Sequence, residues 1–258
     1  MTTALAAHPV RDCSTMLRRQ LRHMQRYPSM TLMLVGMPVI FLLLFVYVLG
    51  GTLGAGLGGG RGDYATYVAP GILLMTVGTA VSGTSVSVAM DMTEGIVARF
   101  RTMAIFRPSV LTGHVLGSMV QTMLSVAVVA CVAVLVGFRP AAGVGGWLAA
   151  LGTIAAFAFA LIWLGVALGM SAGSVETASN TPMPLMLLPF LGSGFVPTDS
   201  MPVVLRWFAE YQPFTPVIET VRGLLMGTPV ADAVAAFLWS AAIALASYLW
   251  AIHLYNRA

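Results

Sequence analysis

The sequence predicts an all-α integral membrane protein with six transmembrane helices, and three observations support this class. Of the 258 residues, 58% are hydrophobic and only 9% are charged, whereas about 25% are charged in a typical soluble domain. The apolar residues are collected in long blocks. Each block is close to the ~20 residues that a helix needs to cross a bilayer. We therefore expect residues 1–258 to form a single membrane domain in a lipid bilayer.

The apolar blocks place the six spans in order along the chain. They lie near residues 31–50, 68–90, 109–136, 147–170, 181–197 and 233–255. The fifth block contains Pro182, Pro184 and Pro189. Proline removes a backbone donor and bends a helix, and in a membrane neighbouring helices must then satisfy the freed groups. We expect a kinked fifth span.

The positions of arginine predict the orientation, because cytoplasmic loops of membrane proteins carry an excess of basic residues. All thirteen basic residues are arginine. With the N-terminus inside, nine lie on the inner side: Arg11, Arg18, Arg19, Arg22, Arg26, Arg99, Arg101, Arg107 and Arg257. Four lie outside: Arg61, Arg139, Arg206 and Arg222. Both termini are therefore predicted to be cytoplasmic.

The stretch before the first span, residues 10–28, combines apolar and basic side chains. Met16, Leu17 and Leu21 stand among four arginines, a pattern typical of an amphipathic helix lying on the inner membrane surface. A disordered basic tail is the alternative. The net charge of +4 is small, and the arginine positions follow membrane topology, so no nucleic-acid partner is expected.

Several chemistries are excluded or disfavoured by the residues present. A P-loop requires a lysine that reaches the phosphates, and the chain has none. The string G-x-G-x-x-G at Gly54, Gly56 and Gly59 follows an apolar span instead of a strand. We interpret it as a flexible glycine-rich outer loop.

The spacing of the ligand-type residues predicts neither a catalytic centre nor a metal or cofactor site. The four histidines, at positions 8, 23, 114 and 253, are far apart, and metal ligands usually recur at short spacings. Cys13 and Cys131 are expected at different depths and unpaired. All nine carboxylates are expected in loops or at helix ends, so energy for uphill transport would have to come from outside this chain.

Residues 91–108, between the second and third spans, form a candidate docking element. An apolar stripe at i, i+4, i+7 spacing is formed by Ile96, Phe100 and Met103, with Arg99 and Arg101 on either side. A short helix of this kind either docks a cytoplasmic partner or anchors in the lipid headgroups. The residue pattern alone leaves both interpretations open.

Two helix faces in the third and fourth spans are candidate contact surfaces. A polar line at i, i+4, i+7, i+11 is formed by His114, Ser118, Gln121 and Ser125. It either lines a substrate route or bonds to a neighbouring helix. Small residues that permit close helix packing recur at Gly113, Gly117, Gly165, Gly169 and Gly173.

The segment 198–230 before the last span mixes charges with large aromatic residues. It is predicted to form one or two short helices in the outer leaflet, beginning at Pro202, Pro213 and Pro216. A lid over an exit route and an inert cap are the two interpretations.

Two segments resemble the permease subunits of type-2 ABC exporters, particularly the actinobacterial daunorubicin-resistance type. They are DMTEGIVARFR at 91–101, and GFVPTDSMP at 194–202 with FAEYQPFTP at 208–216. The resemblance implies a bacterial plasma-membrane permease that forms a homodimer and pairs with a separate cytoplasmic ABC ATPase subunit. ATP and Mg²⁺ would bind only to that partner. The substrates implied are hydrophobic or amphipathic drugs, antibiotics or lipids moving outward.

The resemblance also assigns roles to segments and residues. It makes residues 91–108 the coupling helix, with ATPase contacts at Glu94, Gly95, Arg99, Phe100 and Arg101. It makes the fifth block a true crossing and the outer segment a pair of re-entrant helices. The alternatives from other classes are an energy-independent channel or secondary carrier, and a membrane scaffold that transports nothing.

Overall fold

A computed structural model describes Arg18, residues 28–94 and residues 109–257, and within these the chain is helical with no strands. The first helical stretch comprises α1 (Pro28–Leu43), a π-helix (Leu44–Leu49) and α2 (Gly50–Gly56). The other long helices are α3 (Arg61–Thr93), α4 (Ser109–Val136) and α5 (Val144–Ser171). The short elements α6 (Val175–Asn180), α7 (Met183–Leu187) and a 3₁₀ turn (Thr198–Ser200) follow. The chain ends with α8 (Val203–Tyr211), α9 (Phe214–Met226) and α10 (Ala233–Arg257).

Among the described residues, five helical stretches are long and apolar enough to cross a membrane. They are Leu34–Gly56, Arg61–Thr93, Leu111–Val136, Val144–Ser171 and Ala233–Asn256. Five of the six predicted blocks thus have a matching helix. The fifth block, residues 181–197, has none.

The first helical stretch continues past its predicted end at residue 50. Gly54 and Gly56 belong to α2, so the prediction of a flexible glycine-rich loop was wrong for these two glycines. Gly54 packs so closely against the backbone of Gly60 that an added Cβ would collide with it. Here glycine permits two successive helices to make a tight contact, and only residues 57–60 form the connecting turn.

Helix α3 extends beyond the predicted span 68–90 at both ends. It begins at Arg61, where the Asp63 carboxylate accepts a hydrogen bond of 2.7 Å from the backbone N–H of Gly60, a favourable use of an acidic residue in a first turn. It continues through Thr93. The residues Asp91, Met92 and Thr93 therefore continue α3 and do not begin the separate helix that we predicted from residue 91.

Helix α3 is the centre of the bundle, because most of its residues are buried and it contacts α1, α4, α5 and α9. Helix α5 approaches it most closely. A Cβ at Gly165 would lie 2.8 Å from the carbonyl oxygen of Val81, and one at Gly169 would overlap the carbonyl oxygen of Ser85. The prediction of close packing at these two glycines is confirmed. Gly173 lies after the end of α5 with open space around it, so it makes no close contact within this chain, and packing there between two copies stays a prediction.

The predicted fifth span is broken. Residues 175–197, named here the broken segment, contain α6, α7 and a series of turns through residue 195. Pro182 precedes α7, and Pro189 lies among the turns. Because proline cannot donate a backbone hydrogen bond, no continuous helix forms.

The broken segment nevertheless runs along most of α3. Ser82 donates to the carbonyl of Ser179 at 3.4 Å, and Tyr64 donates to the carbonyl of Phe195 at 3.2 Å. At a rise of 1.5 Å per residue, Tyr64 and Ser82 are about 27 Å apart along α3. The segment runs antiparallel to α3 over this length.

Helices α8 and α9 form the predicted pair of short helices. Pro202 caps α8 and Pro213 caps α9, as the proline positions predicted, while Pro216 lies inside α9. Gly227, with a φ of 69°, ends α9 in the left-handed conformation that glycine favours. The turn between the helices reaches far along α3, because the Phe214 ring lies against Gly78 and edge-on to Phe157 at 5.0 Å.

Most of the predicted interfacial helix at 10–28 and residues 95–108 lie outside the described part of the chain. The end of the bundle at which α3 ends and α4 begins is the loop end. The opposite end, where α3 begins at Arg61, is called the far end.

Candidate coupling and transport sites

At the loop end, α3 and α4 meet through a buried acid–imidazole pair. Asp91 Oδ2 lies 3.0 Å from His114 Nε2, and the two residues are 8% and 5% exposed. When the carboxylate is ionised it can only accept, and Nε2 is then the donor of this bond. Asp91 lies in the last turn of α3 and His114 in the second turn of α4, so the pair lies where α3 ends and α4 begins.

The residues predicted to contact an ATPase fall mostly outside the described chain. Glu94 is the exception. It terminates α3, is exposed, and its backbone N–H donates to the carbonyl of Met90 at 2.9 Å. Gly95, Arg99, Phe100 and Arg101 lie in the part that the structure does not describe, and their roles stay predictions.

The polar line on α4 faces other parts of the protein. Ser118 Oγ accepts a hydrogen bond of 2.9 Å from Thr84 Oγ1 of α3. Ser125 donates to the carbonyl of Gln121 within α4 at 2.9 Å, and Gln121 is partly buried. His114 and Ser118 therefore take part in helix–helix bonds in this structure. A substrate route along the line stays a prediction.

At the far end, Arg222 of α9 joins three elements. Its guanidinium donates to the carbonyls of Ser193 at 2.7 Å and Tyr67 at 3.2 Å, and it pairs with the Glu219 carboxylate. It also lies over the Tyr67 ring, 4.0 Å from the centroid. The Arg222 side chain is 13% exposed. The expectation that every carboxylate lies in a loop or at a helix end was wrong for Glu219, which is in the middle of α9.

The turns of the broken segment accept some of their hydrogen bonds from other elements. Tyr67 donates to the carbonyl of Ser193 at 3.0 Å, and Gln212 Nε2 donates to the carbonyl of Leu188 at 3.0 Å, which also accepts from the N–H of Leu191. Tyr64 and Arg222 add bonds to the carbonyls of residues 195 and 193. A non-helical backbone can lie at membrane depth when protein groups satisfy it in this way.

Sequence reasoning did not find this far-end cluster. The available signals were the Gly192–Ser193–Gly194 run, which weakens a helix, and an arginine three residues after an acid inside the apolar stretch of α9. The partners are far apart in sequence, so no local spacing connects them.

Helix α8 presents charged and aromatic side chains on its surface. Arg206 bridges Asp199 at 2.6 Å and Glu210 at 2.8 Å. The hydrogen bond to Glu210 and the negative charge of Asp199 raise the pKa of Arg206. Within this helix only Ala209 is buried, while Trp207 and Tyr211 are 66% and 63% exposed.

A lateral cavity of about 520 Å³ lies between α5, α9 and α10. It is lined by Ala149, Gly152, Thr153, Thr220, Leu224, Val230, Ala233 and Phe237. The hydroxyls of Thr153 and Thr220 donate to carbonyls of their own helices. The lining therefore suits an apolar occupant, with no charged side chain among these residues.

Metal chemistry finds no support in the described ranges. Across residues 28–94 and 109–257, no group of three or more His, Cys, Asp or Glu side chains is arranged to hold a metal ion. Cys131 is a free, exposed thiol. The clusters at the two ends of α3 instead connect helices to one another.

Comparison with known proteins identifies relatives over most of the chain. Residues 11–226 match the family model described as ABC-2 type transporter. The daunorubicin resistance ABC transporter permease protein DrrB1 of Streptomyces coeruleorubidus is 29% identical over 216 residues, which cover 83% of this chain and 75% of that relative.

Further relatives come from two strains of Mycobacterium tuberculosis. Each is a probable doxorubicin resistance ABC transporter permease protein DrrC, 25% identical over 175 residues. The match covers 66% of this chain and 63% of those relatives. Because the family model spans most of the chain, and the described residues include five apolar helices of spanning length, this protein belongs to the ABC-2 type transporter family of membrane permeases.

Proposed function

We propose that this chain is the permease subunit of an ATP-driven exporter that moves hydrophobic or amphipathic drugs or lipids out of the cell. The observation that carries the proposal is the family match over residues 11–226. The names of the relatives favour drugs over lipids, and the apolar lateral cavity is compatible with either class. The location that follows is a bacterial plasma membrane, with several crossings.

The energy comes from a separate cytoplasmic ABC ATPase subunit. This chain has no lysine with which to build a P-loop, so ATP and Mg²⁺ bind to the partner and hydrolysis takes place there. Residues 91–108 transmit the conformational change. Glu94, Gly95, Arg99, Phe100 and Arg101 are the proposed contacts with the ATPase.

The broken segment supplies the sixth crossing. Its contacts along about 27 Å of α3 approach the ~30 Å thickness of a hydrocarbon core. Side chains of α3 and α9 bond to its irregular backbone, which makes a non-helical crossing physically acceptable. With six crossings and the excess of arginine at the loop end, both termini are cytoplasmic and the far end is external.

Helices α8 and α9 form a re-entrant pair at the far end. The chain leaves Phe195, whose carbonyl accepts from Tyr64, and α9 ends near the level of Tyr67, to which Arg222 donates. Between them, Phe214 at the start of α9 lies against Gly78. Gly78 is about 21 Å along α3 from Tyr64. The turn therefore enters the membrane without crossing it.

A second copy of the chain completes the permease. The exposed aromatic residues Trp207 and Tyr211 lie beside the ion pairs of Arg206 on α8. A surface with large aromatic rings and arginine is typical of protein interfaces. A homodimer carrying two ATPase subunits is the assembly we propose.

The test reverses the charge of two arginines in residues 91–108, the proposed coupling helix. The change is Arg99→Glu with Arg101→Glu, in a chain co-expressed with the P-loop ATPase that co-purifies with the wild-type chain. We expect the double variant to insert normally but to lose ATPase co-purification and ATP-dependent daunorubicin transport into inverted vesicles by about tenfold or more, because charged rim contacts set partner association.

The matched control is Arg139→Glu, an exposed arginine between α4 and α5, which should leave both measurements unchanged. Normal recruitment and transport in the double variant would contradict the coupling assignment. Transport by the chain alone, without an ATPase, would instead favour a channel or secondary carrier. Recruitment without transport of any tested drug or lipid would favour a scaffold.

A further inference from the structure

Side-chain hydrogen bonds join α3 and α4, the helices on either side of residues 95–108. Asp91 bonds to His114 at 3.0 Å, and Thr84 bonds to Ser118 at 2.9 Å. All four residues are at most 8% exposed. Buried bonds of this kind are protected from competing water, so each holds its two helices in a defined position.

The bonds lie at different heights along the helices. Asp91 and Thr84 are seven residues apart in the sequence, which corresponds to about 10 Å along α3. A single bond would let two helices pivot about one point. Two bonds separated along the axis oppose both sliding and splaying of α3 against α4.

Helix α3 also packs directly against other elements of the membrane domain. Gly165 and Gly169 of α5 touch its backbone at Val81 and Ser85, and Tyr64 and the α3 backbone at Tyr67 hold the broken segment and Arg222 at the far end. A displacement of α3 therefore reaches α5, α9 and the broken segment without passing through a flexible connection.

We propose that the Asp91–His114 and Thr84–Ser118 bonds make α3 and α4 one rigid lever, and that His114 and Asp91 are positioning residues for transport. This inference rests on the proposed function, because it assigns the input of movement to residues 95–108. A loop attached to a rigid pair of helices moves both together. A loop attached to two independent helices would only bend them at its own end.

A rigid lever and a substrate route between α3 and α4 predict different effects of a covalent link between the two helices. If the two helices move together throughout the cycle, a covalent link between them leaves transport intact. If substrate passes between them along the polar line of α4, the same link blocks transport.

The link is introduced by Thr84→Cys with Ser118→Cys, in a chain that also carries Cys13→Ser and Cys131→Ser. The two oxygen atoms are 2.9 Å apart, so sulfur atoms at these positions are close to the distance of a disulfide. Disulfide formation is measured with a maleimide–polyethylene glycol reagent that labels free thiols. The cross-linked chain should lose this labelling, and reduction should restore it. Each single cysteine variant, oxidised in the same way, is the control.

We expect the oxidised, cross-linked permease with its ATPase to transport daunorubicin at a rate within about twofold of the reduced form, since coupling changes along such contacts are small when the contact is kept. Loss of transport on oxidation, with recovery on reduction, would overturn the lever and support the substrate route.

The second arm removes one bond with His114→Leu and restores a donor with His114→Gln. We expect His114→Leu to lower drug-stimulated ATP hydrolysis and transport about tenfold, with ATPase co-purification and the KM for ATP unchanged, and His114→Gln to recover most of the loss. Thr76→Ala is the matched control, because the Thr76 hydroxyl donates to the carbonyl of Ile72 within α3, and it should behave as wild type.

The outcomes separate the lever from the proposed function. A wild-type chain that recruits no ATPase and transports nothing contradicts the proposed function itself. A wild-type complex that transports, together with a folded His114→Leu variant that transports equally well, contradicts only the lever. A His114→Gln variant as inactive as His114→Leu would also overturn the positioning role.

Discussion

The two ends of α3 are attached to their surroundings by different kinds of bond. At the loop end, Asp91 and Thr84 bond to side chains of α4. At the far end, the hydroxyls of Tyr64 and Tyr67 donate to backbone carbonyls of the broken segment, and Arg222 donates to carbonyls of both elements. At the loop end the bonds join two intact helices. At the far end they supply donors to the broken segment, in which proline and glycine prevent a continuous helix.

The two ends of α3 are sensitive to different substitutions. Loss of the Thr84–Ser118 bond leaves the backbone bonds of both intact helices in place, and Thr84 keeps its bond to the carbonyl of Ala80, so this loss changes position more than stability. Loss of Arg222 leaves the Glu219 carboxylate without its cation and takes one donor from the Ser193 carbonyl of the broken segment, which costs more free energy. Substitutions at the far end should therefore destabilise the fold, and those at the loop end should mainly alter coupling.

The largest effect is expected for Arg222→Leu. It leaves Glu219 without its partner and removes the donor to the Tyr67 and Ser193 carbonyls. Because the Arg222 and Glu219 side chains are 13% and 34% exposed, loss of this part-buried pair and of the charged donor should lower the free energy of unfolding by about 3 kcal/mol, measured by unfolding in mixed micelles. Arg206→Leu removes an exposed ion pair instead and should leave the unfolding midpoint unchanged. Equal effects of the two variants would contradict the structural importance of the far-end cluster.

A smaller effect is expected for Gly169→Ala, which tests the contact between α5 and α3. The new methyl group would overlap the carbonyl oxygen of Ser85, so the helices must separate at a cost of about 1–3 kcal/mol. Gly152→Ala, in the same helix but with open space around it, should not destabilise the fold. The measurement is the same unfolding titration, and a neutral Gly169→Ala would show that the two backbones are not in contact.

Tyr67→Phe removes one donor to the broken segment but keeps the ring beneath Arg222. We expect a loss of about 0.5–1.5 kcal/mol, the usual net contribution of one hydrogen bond, because Arg222 still satisfies the Ser193 carbonyl. Tyr211→Phe, at an exposed position, serves as the control and should leave the free energy of unfolding unchanged. A loss as large as that of Arg222→Leu would mean that the tyrosine hydroxyl and not the guanidinium is the main support.

The smallest effect on stability is expected for Ser118→Ala at the loop end. Hydrogen bonds between membrane helices contribute about 0.6 kcal/mol on average, and the thermal midpoint in detergent should fall only slightly. Ser125→Ala, whose bond lies within α4, should not change the midpoint. A Ser118→Ala variant as unstable as Arg222→Leu would remove the contrast between the two ends of α3.

The fold was predictable wherever one local signal determined it. Apolar block length identified the spans around α1, α3, α4, α5 and α10, and Pro202 and Pro213 marked the starts of α8 and α9. The glycine spacing of α5 predicted its close approach at Gly165 and Gly169. These features depend on a composition or a spacing that a short window of sequence contains.

The candidate sites were less predictable, because they depend on long-range contacts. The polar line of α4 was visible, but its partners Asp91 and Thr84 were not. Arg222 was counted only as an outer charge, although its guanidinium binds two carbonyls from different elements. Which carbonyls a broken helix leaves free depends on the exact positions of its turns, and residue spacing does not determine these positions.

The dependence of the broken segment on Arg222 has a consequence for synthesis. Ser193 leaves the ribosome before Arg222, so its carbonyl lacks one of its final donors while the segment enters the bilayer. We expect this part of the nascent chain to stay near the insertion machinery, or near water, until α9 has followed it. The order of membrane assembly in this region is then set by tertiary contacts, and the segment becomes a stable part of the membrane only as α9 folds back against α3.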